Sequence, residues 1–500
     1  VHDITTLKSH PDKFLFEHID GVFKNVKKLT KSRWAELLAI FHDLGKVNPN
    51  FQNKLQPNRN VSGYSNHAYL SAYAFFCAFA GITSNNEKLK KWLSNTNVTK
   101  NELIALTVLI AKHHGNLPDF CPKDNSGTGA CILSKLENDS LYDFLKLPGI
   151  VLPVNEFASH YFQTENFQHF LYKPEVQRGF SEQFIFDYQN NKNPLEFFLD
   201  AQYAFACLIQ ADKADAAKFD NFIDDNEKNV NDFCKFYESQ LQGYLNKLDQ
   251  GSEINKLRTQ IRAESINAIQ KGLKENKRVF ELSSPTGSGK TLILLSLASE
   301  IIKAKGSCRI IYSLPFLSIT EQVEAEVLKV FSENQNHIQR IDSKSENNRF
   351  EELQKELDND PTEEKIREIN LLEFQENTFA YPFVITTFVR FFETSLSNRN
   401  AELLKLPNFS NCIFLLDEIQ ALPPRLYGFF VAYLTKFCEK FNSYAIISTA
   451  TQPNFELPGN PQSIKDFFCD YKNPYSLLSL KHFQNDLFNR YEINVNKEIV

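Results

Sequence analysis

Two groups of residues in this 500-residue chain have the types and spacing to do chemistry. The first is the stretch Ser283-Ser284-Pro285-Thr286-Gly287-Ser288-Gly289-Lys290-Thr291. Gly287 and Gly289 let backbone N–H groups curl around a phosphate, with Ser284, Thr286 and Ser288 in the same loop; Lys290 reaches the β and γ oxygens, and Thr291 offers its hydroxyl to Mg²⁺. Phe280-Glu281-Leu282 reads as a strand end before this P-loop and Leu292 to Ala298 as the helix after it, which is the context the motif requires. Asp417 and Glu418 close the apolar run Cys412 to Leu416. In a P-loop protein, an aspartate there holds Mg²⁺ through water, and the glutamate beside it orients and deprotonates the attacking water. The pair and the loop together predict a site for ATP and Mg²⁺.

The second group is dispersed through the first half. His18 lies early in an amphipathic segment, and His42-Asp43 follows the apolar stretch Ala35 to Phe41, with Gly45-Lys46 just beyond. His67 opens another apolar segment, His113-His114 closes a third, and Asp212 ends the run Ala201 to Ala211. Any one of these histidines by itself reads as a surface or satisfied core residue. As an ordered set on several helices they form an inward-facing cage, and imidazole with carboxylate suits Mn²⁺, Fe²⁺, Co²⁺ or Ni²⁺. Two such ions, about 3.5–4 Å apart, activate water and hold the oxygens of a phosphodiester. The His42-Asp43 dipeptide resembles the element that names the metal-dependent HD phosphohydrolases. Lys46 reads either as a phosphate-binding residue or as an ordinary partner of a helix C-terminus, and His2 and His10 read as solvated terminal residues.

These residues need two scaffolds. The first half predicts an all-α, HD-type metal domain over residues 1–248, interrupted by an irregular stretch from about Pro118 to Asn166 with a loop at Cys121 to Gly129. Leu248-Asp249-Gln250-Gly251-Ser252 reads as a linker, so 249–255 separates this domain from an α/β domain over 256–500. There, continuous apolar runs at Arg309–Leu317, Phe383–Thr387, Cys412–Leu416 and Tyr444–Ile447 alternate with helical segments. That predicts a parallel, doubly wound sheet with ligands at the carboxyl ends of its strands. The small hydroxyl residues of Ser448-Thr449-Ala450-Thr451 at the last strand end can bond to the acidic pair and sense the γ-phosphate. Residues from about Ser343 to Glu373 read as a solvated helical insertion.

Composition narrows the classes. With 42% hydrophobic and 23% charged residues and 45 Phe, the chain is globular and has an aromatic surplus for cores or surfaces. A net charge of −6 excludes a protein that coats nucleic acid through its overall charge, though not one with a local basic groove. Nine cysteines without a C-x-x-C pair fit small buried apolar residues in a reducing cytoplasm, and no apolar run is long enough for a membrane span.

The order of motifs resembles the Cas3 nuclease-helicases of type I CRISPR systems. The shared features are the HD site, the P-loop, Asp417-Glu418-Ile419-Gln420 and Ser448-Thr449-Ala450-Thr451, together with Lys8 to Lys13 before Glu17-His18, Leu314-Pro315-Phe316 and Thr387-Phe388-Val389. The resemblance implies a two-metal nuclease for single-stranded DNA joined to the first RecA-like lobe of a superfamily 2 helicase moving 3′ to 5′. It implies recruitment by an RNA-guided, Cascade-type surveillance complex holding an R-loop. Metal ligands would be His18, His42, Asp43, His67, His113, His114 and Asp212, with His42, Asp43, Lys46 and Glu418 catalytic. The nucleotide site would be Ser284, Thr286, Gly287, Ser288, Gly289, Lys290, Thr291, Asp417 and Glu418, with Gln260 as an adenine-contacting glutamine and Ser448, Thr449 and Ala450 coupling hydrolysis to motion. Too little sequence follows Ala450 for a second lobe, so impaired ATPase activity and a monomeric chain are expected. Two other readings stay open: an HD nucleotide phosphohydrolase with an ATP-sensing P-loop domain, and a non-catalytic interaction module.

Overall fold

In a computed structural model, residues 6–47, 49–56, 67–68, 71–72, 75, 100–117, 194–249, 251–343, 348–359, 361–451, 455 and 473–488 are described. The chain forms two compact units, one of Val1–Ile223 with Ser397–Pro407 and one of Asp224–Leu396 with Asn408–Val500.

Among its described residues the first unit is helical apart from connecting turns and a short antiparallel hairpin, β1 (Lys8–His10) and β2 (Lys13–Phe14), which an all-α reading did not anticipate. Its two strands are too short to show a period of two. Helix α1 (Leu15–Leu29) buries Leu15, His18, Val22, Asn25 and Val26, a single stripe at helical spacing. Helix α2 (Arg33–Phe41) buries Trp34, Leu37, Leu38 and Phe41. Helices α3 (Lys100–Ala111) and α4 (Pro194–Ala216) follow. From Ala201 to Ala211 α4 is buried on all sides, as its lack of a polar face dictates, and α1, α2 and α3 pack against it. His42 directly follows α2, His113-His114 come one residue after the end of α3, and Asp212 lies in the last turns of α4. The helix ends thus deliver the polar groups that the apolar helix bodies exclude. The loop Cys121 to Gly129 and His2 lie outside the described residues.

The second unit is built on a seven-stranded sheet, parallel throughout. Its strands are β3 (Val279–Ser283), β4 (Arg309–Leu314), β5 (Ile338–Ile341), β6 (Phe383–Thr387), β7 (Cys412–Leu416), β8 (Tyr444–Thr449) and β9 (Tyr475–Ser476), in the order β5-β6-β4-β7-β8-β3-β9. The five central strands are those whose apolar runs stand out in the sequence. The edge strands do not: β5 buries only its first and last residues, and β9 has two residues. Pairing of Ser283 with Thr449 and of Ser313 with Leu416 brings the carboxyl ends of β3 and β8, and of β4 and β7, into line. The predicted insertion is helical, as two segments, Asn348–Asn359 and Glu363–Thr378, that pack on each other.

Helix α5 (Phe222–Lys247) belongs largely to this second unit. Phe233, Tyr237, Leu241 and Leu245 join the core that also contains Phe280, Leu295 and Ile310, and the Tyr237 hydroxyl donates to Leu295 O at 3.1 Å. The compact units part at Ile223/Asp224, because the apolar stripe of α5 joins the core of the second unit. Other phenylalanines of this unit pack on one another outside that cluster: Phe391 lies on Phe409 and Phe414 at 5.4 and 5.3 Å between ring centroids.

Candidate metal centre and nucleotide site

In the first unit the predicted ligands converge. Asp43 is buried, and its carboxylate faces His18 Nε2 at 3.1 Å, His67 Nε2 at 3.3 Å, and His42 and His113 Nε2 at 3.6 Å each. Asp212 Oδ1 lies 3.2 Å from His18 Nε2, and His67 and His114 approach through their Nε2 atoms at 2.8 Å. Two donor groups result, His18-His42-Asp43 and Asp43-His67-His113-His114, each with its ligand atoms within 4.8 Å of one another. Asp43 is common to both.

Local hydrogen bonds orient the imidazoles. His42 Nδ1 donates to Ala39 O at 2.8 Å and His113 Nδ1 to Ile110 O at 2.7 Å, the carbonyl three residues back in each case. With the proton fixed on Nδ1, each Nε2 presents a lone pair to the cluster. His113 Nε2 is buried with no hydrogen-bond partner among the described residues, and burial lowers His42 to about 4, so the His42 ring is a neutral donor. An inward-facing imidazole lone pair without a donor, beside a shared carboxylate, fits a metal centre. Burial also lowers His114, to about 3, and His67. His18 behaves oppositely: burial disfavours its charge, but hydrogen bonds to Asp212, Asp215 and Asp43 outweigh that and raise it to about 11. Asp43 is held well below the usual carboxylate range: burial opposes this, and the imidazoles of His42, His113, His18 and His67 that face its carboxylate overcome it.

Residues that carried no role in the sequence reading complete the site. Asp215, one turn beyond Asp212, accepts from His18 Nδ1 at 2.5 Å and from Lys13 Nζ at 2.7 Å. It fixes the His18 ring as an outer carboxylate fixes a metal-binding histidine. Its signal was the i, i+3 spacing from Asp212, which puts both on one helix face. His10 is a correction. It is half-buried in β1, with its ring edge-on to His18 at 5.3 Å, because the unanticipated hairpin folds it back over α1. Lys46 is buried with Nζ 2.7 Å from Asp43 Oδ2.

In the second unit the P-loop joins β3 to helix α6 (Lys290–Lys305), with Gly287 and Gly289 at φ +82° and +83°, where a side chain would be strained. Lys290 Nζ bonds to Glu418 Oε1 and lies 3.8 Å from Asp417 Oδ1. Buried Tyr312 donates its hydroxyl to Asp417 Oδ2 at 2.9 Å, an interaction visible only once β4 and β7 are paired. Gln420 Nε2 donates to Glu418 Oε2, and Thr449 Oγ1 donates to Gln420 Oε1 at 2.8 Å. The strand end of β8 thus reaches the acidic pair through Gln420. Ser284 N donates to Thr449 O at 3.1 Å, and Ser288 Oγ to Ser284 Oγ at 3.2 Å, while Thr286 is exposed. Thr291 bonds to half-buried Glu326, whose carboxyl burial raises. Two expected contacts are corrected. The Ser448 hydroxyl is buried without a hydrogen-bond partner among the described residues, since β8 turns it away from the acidic pair, and Ala450 offers no hydroxyl. Gln260 is exposed and bonds to Glu264 at 2.9 Å; one turn position earlier, Arg258 Nε reaches Gly287 O at 2.8 Å. Among the described residues no helix is long and apolar enough to cross a membrane.

Comparison with known proteins finds a family match in each half of the chain. Residues 11–141 match the family model for the Cas3 HD domain, and residues 255–452 match that for the res subunit of type III restriction enzymes. The CRISPR-associated nuclease/helicase Cas3 of Haloferax volcanii is 23% identical over 453 residues, covering 85% of this chain and 46% of that protein. The chain therefore spans about half the length of the curated relative it matches. Among solved structures, T. fusca Cas3 gives a TM-score of 0.44 at 14% identity, over 93% of this chain and 51% of that one. Its ATP complex gives 0.42 at 13% identity, over 86% and 46%. A pre-nicking CRISPR RNA-guided surveillance complex contains a chain that gives 0.37 at 12% identity, over 90% and 46%.

Proposed function

The two domain matches, in this order, and the curated relative place the chain among the Cas3 HD–helicase proteins, and on that premise we propose that it is a metal-dependent nuclease for single-stranded DNA joined to an ATP-driven helicase lobe. The observation that carries the nuclease reading is Asp43, one buried carboxylate shared by two donor groups. His18, His42 and Asp212 with Asp43 would hold one divalent ion, and His67, His113 and His114 with Asp43 a second, with Mn²⁺, Fe²⁺, Co²⁺ or Ni²⁺ suited to this donor set. Such ions supply a hydroxide at neutral pH and a positive clamp on the phosphodiester.

The chain's own residues do the positioning. Asp215 holds His18 by its Nδ1 proton, and the Ala39 and Ile110 carbonyls hold His42 and His113, so the three rings keep their Nε2 atoms turned inward. Lys46, 2.7 Å from Asp43, is a fixed positive charge at the site's floor, where it offsets the carboxylates and favours an anionic phosphate. In the second unit the Gly287–Gly289 backbone would cradle the ATP phosphates with Lys290, Asp417 would hold Mg²⁺, and Glu418 would orient the attacking water. Thr449 and Gln420 connect Glu418 to the end of β8, a hydrogen-bonded route by which the state of the γ-phosphate is passed to the sheet. Translocation 3′ to 5′ and recruitment by an RNA-guided complex at an R-loop complete the proposal, by analogy with the family.

The test is cleavage of circular single-stranded DNA with Mn²⁺, Co²⁺ or Ni²⁺ and no ATP, comparing the parent with Asp43→Ala. Cutting by the parent alone is expected. Equal cutting by both, or by neither, overturns the assignment, and a preference for free nucleotides over DNA would turn it toward a nucleotide phosphohydrolase.

A further inference from the structure

The segment Ser397–Pro407 belongs to the first unit, although in sequence it lies between a helix (Phe388–Leu396) and strand β7 of the second. Its hydrogen bonds fall on the turn that carries His113 and His114. Asn400 Nδ2 donates to His113 O at 3.0 Å and to Gly115 O at 3.2 Å, and Asn400 N donates to Asn116 Oδ1 at 3.1 Å. Leu117 N donates to Asn398 O at 2.7 Å, and Asn398 Nδ2 returns a bond to Leu117 O at 3.1 Å. The same segment is gripped by α4: Gln202 Nε2 donates to Ser397 O at 3.3 Å and Gln210 Nε2 to Leu404 O at 3.1 Å. Gln210 stands two residues before Asp212.

We propose that Asn400 is a positioning residue of the metal centre, and that the Ser397–Pro407 strap is a built part of it. The physical reason lies in where the ligands sit. His113 and His114 come just after the last turn of α3, where carbonyl oxygens have no partner in the helix. Their rings point correctly only if that backbone is held. The two N–H groups of one carboxamide satisfy the carbonyls on either side of His114, and the Asn398–Leu117 pair ties down the far end of the turn. The strap spans the His113-His114 turn and the helix of Asp212, so it fixes the spacing of ligands from different helices. By this inference the nuclease centre is completed by residues that lie far past the P-loop in sequence. It rests on the two-ion reading above.

The test uses the full 500-residue chain, titrated with Mn²⁺ by calorimetry and examined by electron paramagnetic resonance. Asn400→Asp keeps the shape and removes both donations; Asn400→Ala removes the side chain; Asn398→Ala is a milder variant that loosens only the Leu117 end. The parent is expected to take up two ions as an exchange-coupled pair. In Asn400→Asp and Asn400→Ala one class of ion should weaken by about 10-fold or more, as loss of outer support does. The other class, on His18 and His42, should be unchanged, leaving an uncoupled Mn²⁺ signal. Asn398→Ala should weaken the same class less. Unchanged binding in the Asn400 variants overturns the proposal. So does equal loss of both classes together with the unfolding transition, which would make the strap a general prop. A parent that binds no ions, or one, refutes the two-ion reading itself before any variant is measured.

Discussion

Gly21→Ala should separate the two roles of a glycine inside α1. In an ordinary helix interior this change stabilises by about 0.8–1 kcal/mol, because alanine loses less backbone entropy and shields the helix. Here a Cβ at position 21 would lie 2.0 Å from Asp215 Oδ1 and 2.9 Å from its Cγ. A free surface carboxylate would simply rotate away. Asp215 is 5% exposed and holds both His18 Nδ1 and Lys13 Nζ, so rotation breaks charge-assisted hydrogen bonds. Losing one of these costs about 1.5–3 kcal/mol, and keeping them by shifting α1 against α4 costs about 1–3 kcal/mol as overpacking. Either route exceeds the helix gain, so a net loss of about 1–2 kcal/mol is expected in the parent.

Both tryptophans, Trp34 and Trp92, fall in Val1–Ile223, so tryptophan fluorescence in a denaturant titration follows the first unit alone. The decisive comparison is the same substitution in an Asp215→Ala background. With the carboxylate gone, Gly21→Ala should stabilise by about 1 kcal/mol, which makes the coupling between the positions about 2–3 kcal/mol with a reversal of sign. The metal centre should follow the clash: Gly21→Ala displaces the group that orients His18, and Mn²⁺ affinity should fall about 10-fold or more. If Gly21→Ala has the same sign and size in both backgrounds, Asp215 is not pinned and its role in orienting His18 is wrong.

Two further outcomes follow from the same geometry. Mn²⁺ present at about 100 times its dissociation constant should stabilise the first unit by about 2.7 kcal/mol, and the effect should vanish with chelator or in Asp43→Ala, again read by tryptophan fluorescence. In the second unit, Glu418→Gln should bind Mg²⁺-ATP more tightly than the parent while failing to hydrolyse it, because Lys290 no longer has to leave a carboxylate to reach the phosphates. Lys290→Ala should lose binding, and calorimetry of the two variants side by side would expose weaker binding by Glu418→Gln, which would contradict the argument.

The parts legible in the sequence are those whose chemistry is local. The P-loop is contiguous, and Gly287, Gly289 and Lys290 stand where strand and helix on either side demand. The central strands are continuous apolar runs because helices cover both faces of the sheet. His42, Asp43, His113 and His114 were found because helix ends are where polar residues interrupt apolar periodicity. What was not legible depends on pairing between distant segments. Asp215 reads as one more surface acid until α1 and α4 are packed and His18 meets it. Tyr312 is an ordinary strand aromatic until β4 lies beside β7. Asn400 falls in a polar stretch that no local pattern ties to His113, and α5 has an apolar stripe whose partner cannot be read from the stripe itself.

Both sites solve the same electrostatic problem in the same way. A buried carboxylate with no counter-charge is too costly to keep, so a site built to hold cations needs substitutes when it stands alone. In the first unit these are the imidazolium of His18, raised to about 11 by its three carboxylates, Lys46 on Asp43 and Lys13 on Asp215. In the second, Lys290 pairs with Glu418. The substitutes differ in whether they must leave. His18 turns the same Nε2 to Asp43 and Asp212 that it would give to a metal ion, so a bound ion would take the place of its proton, whereas Lys46 and Lys13 would not have to move. Lys290 has to exchange a carboxylate for phosphates. This pairing of carboxylates with cations helps to keep each site shaped. It also explains why removing a neutralising partner and removing a ligand need not act alike: Glu418→Gln releases Lys290 for its task, while Asp215→Ala releases His18 from the orientation on which its task depends.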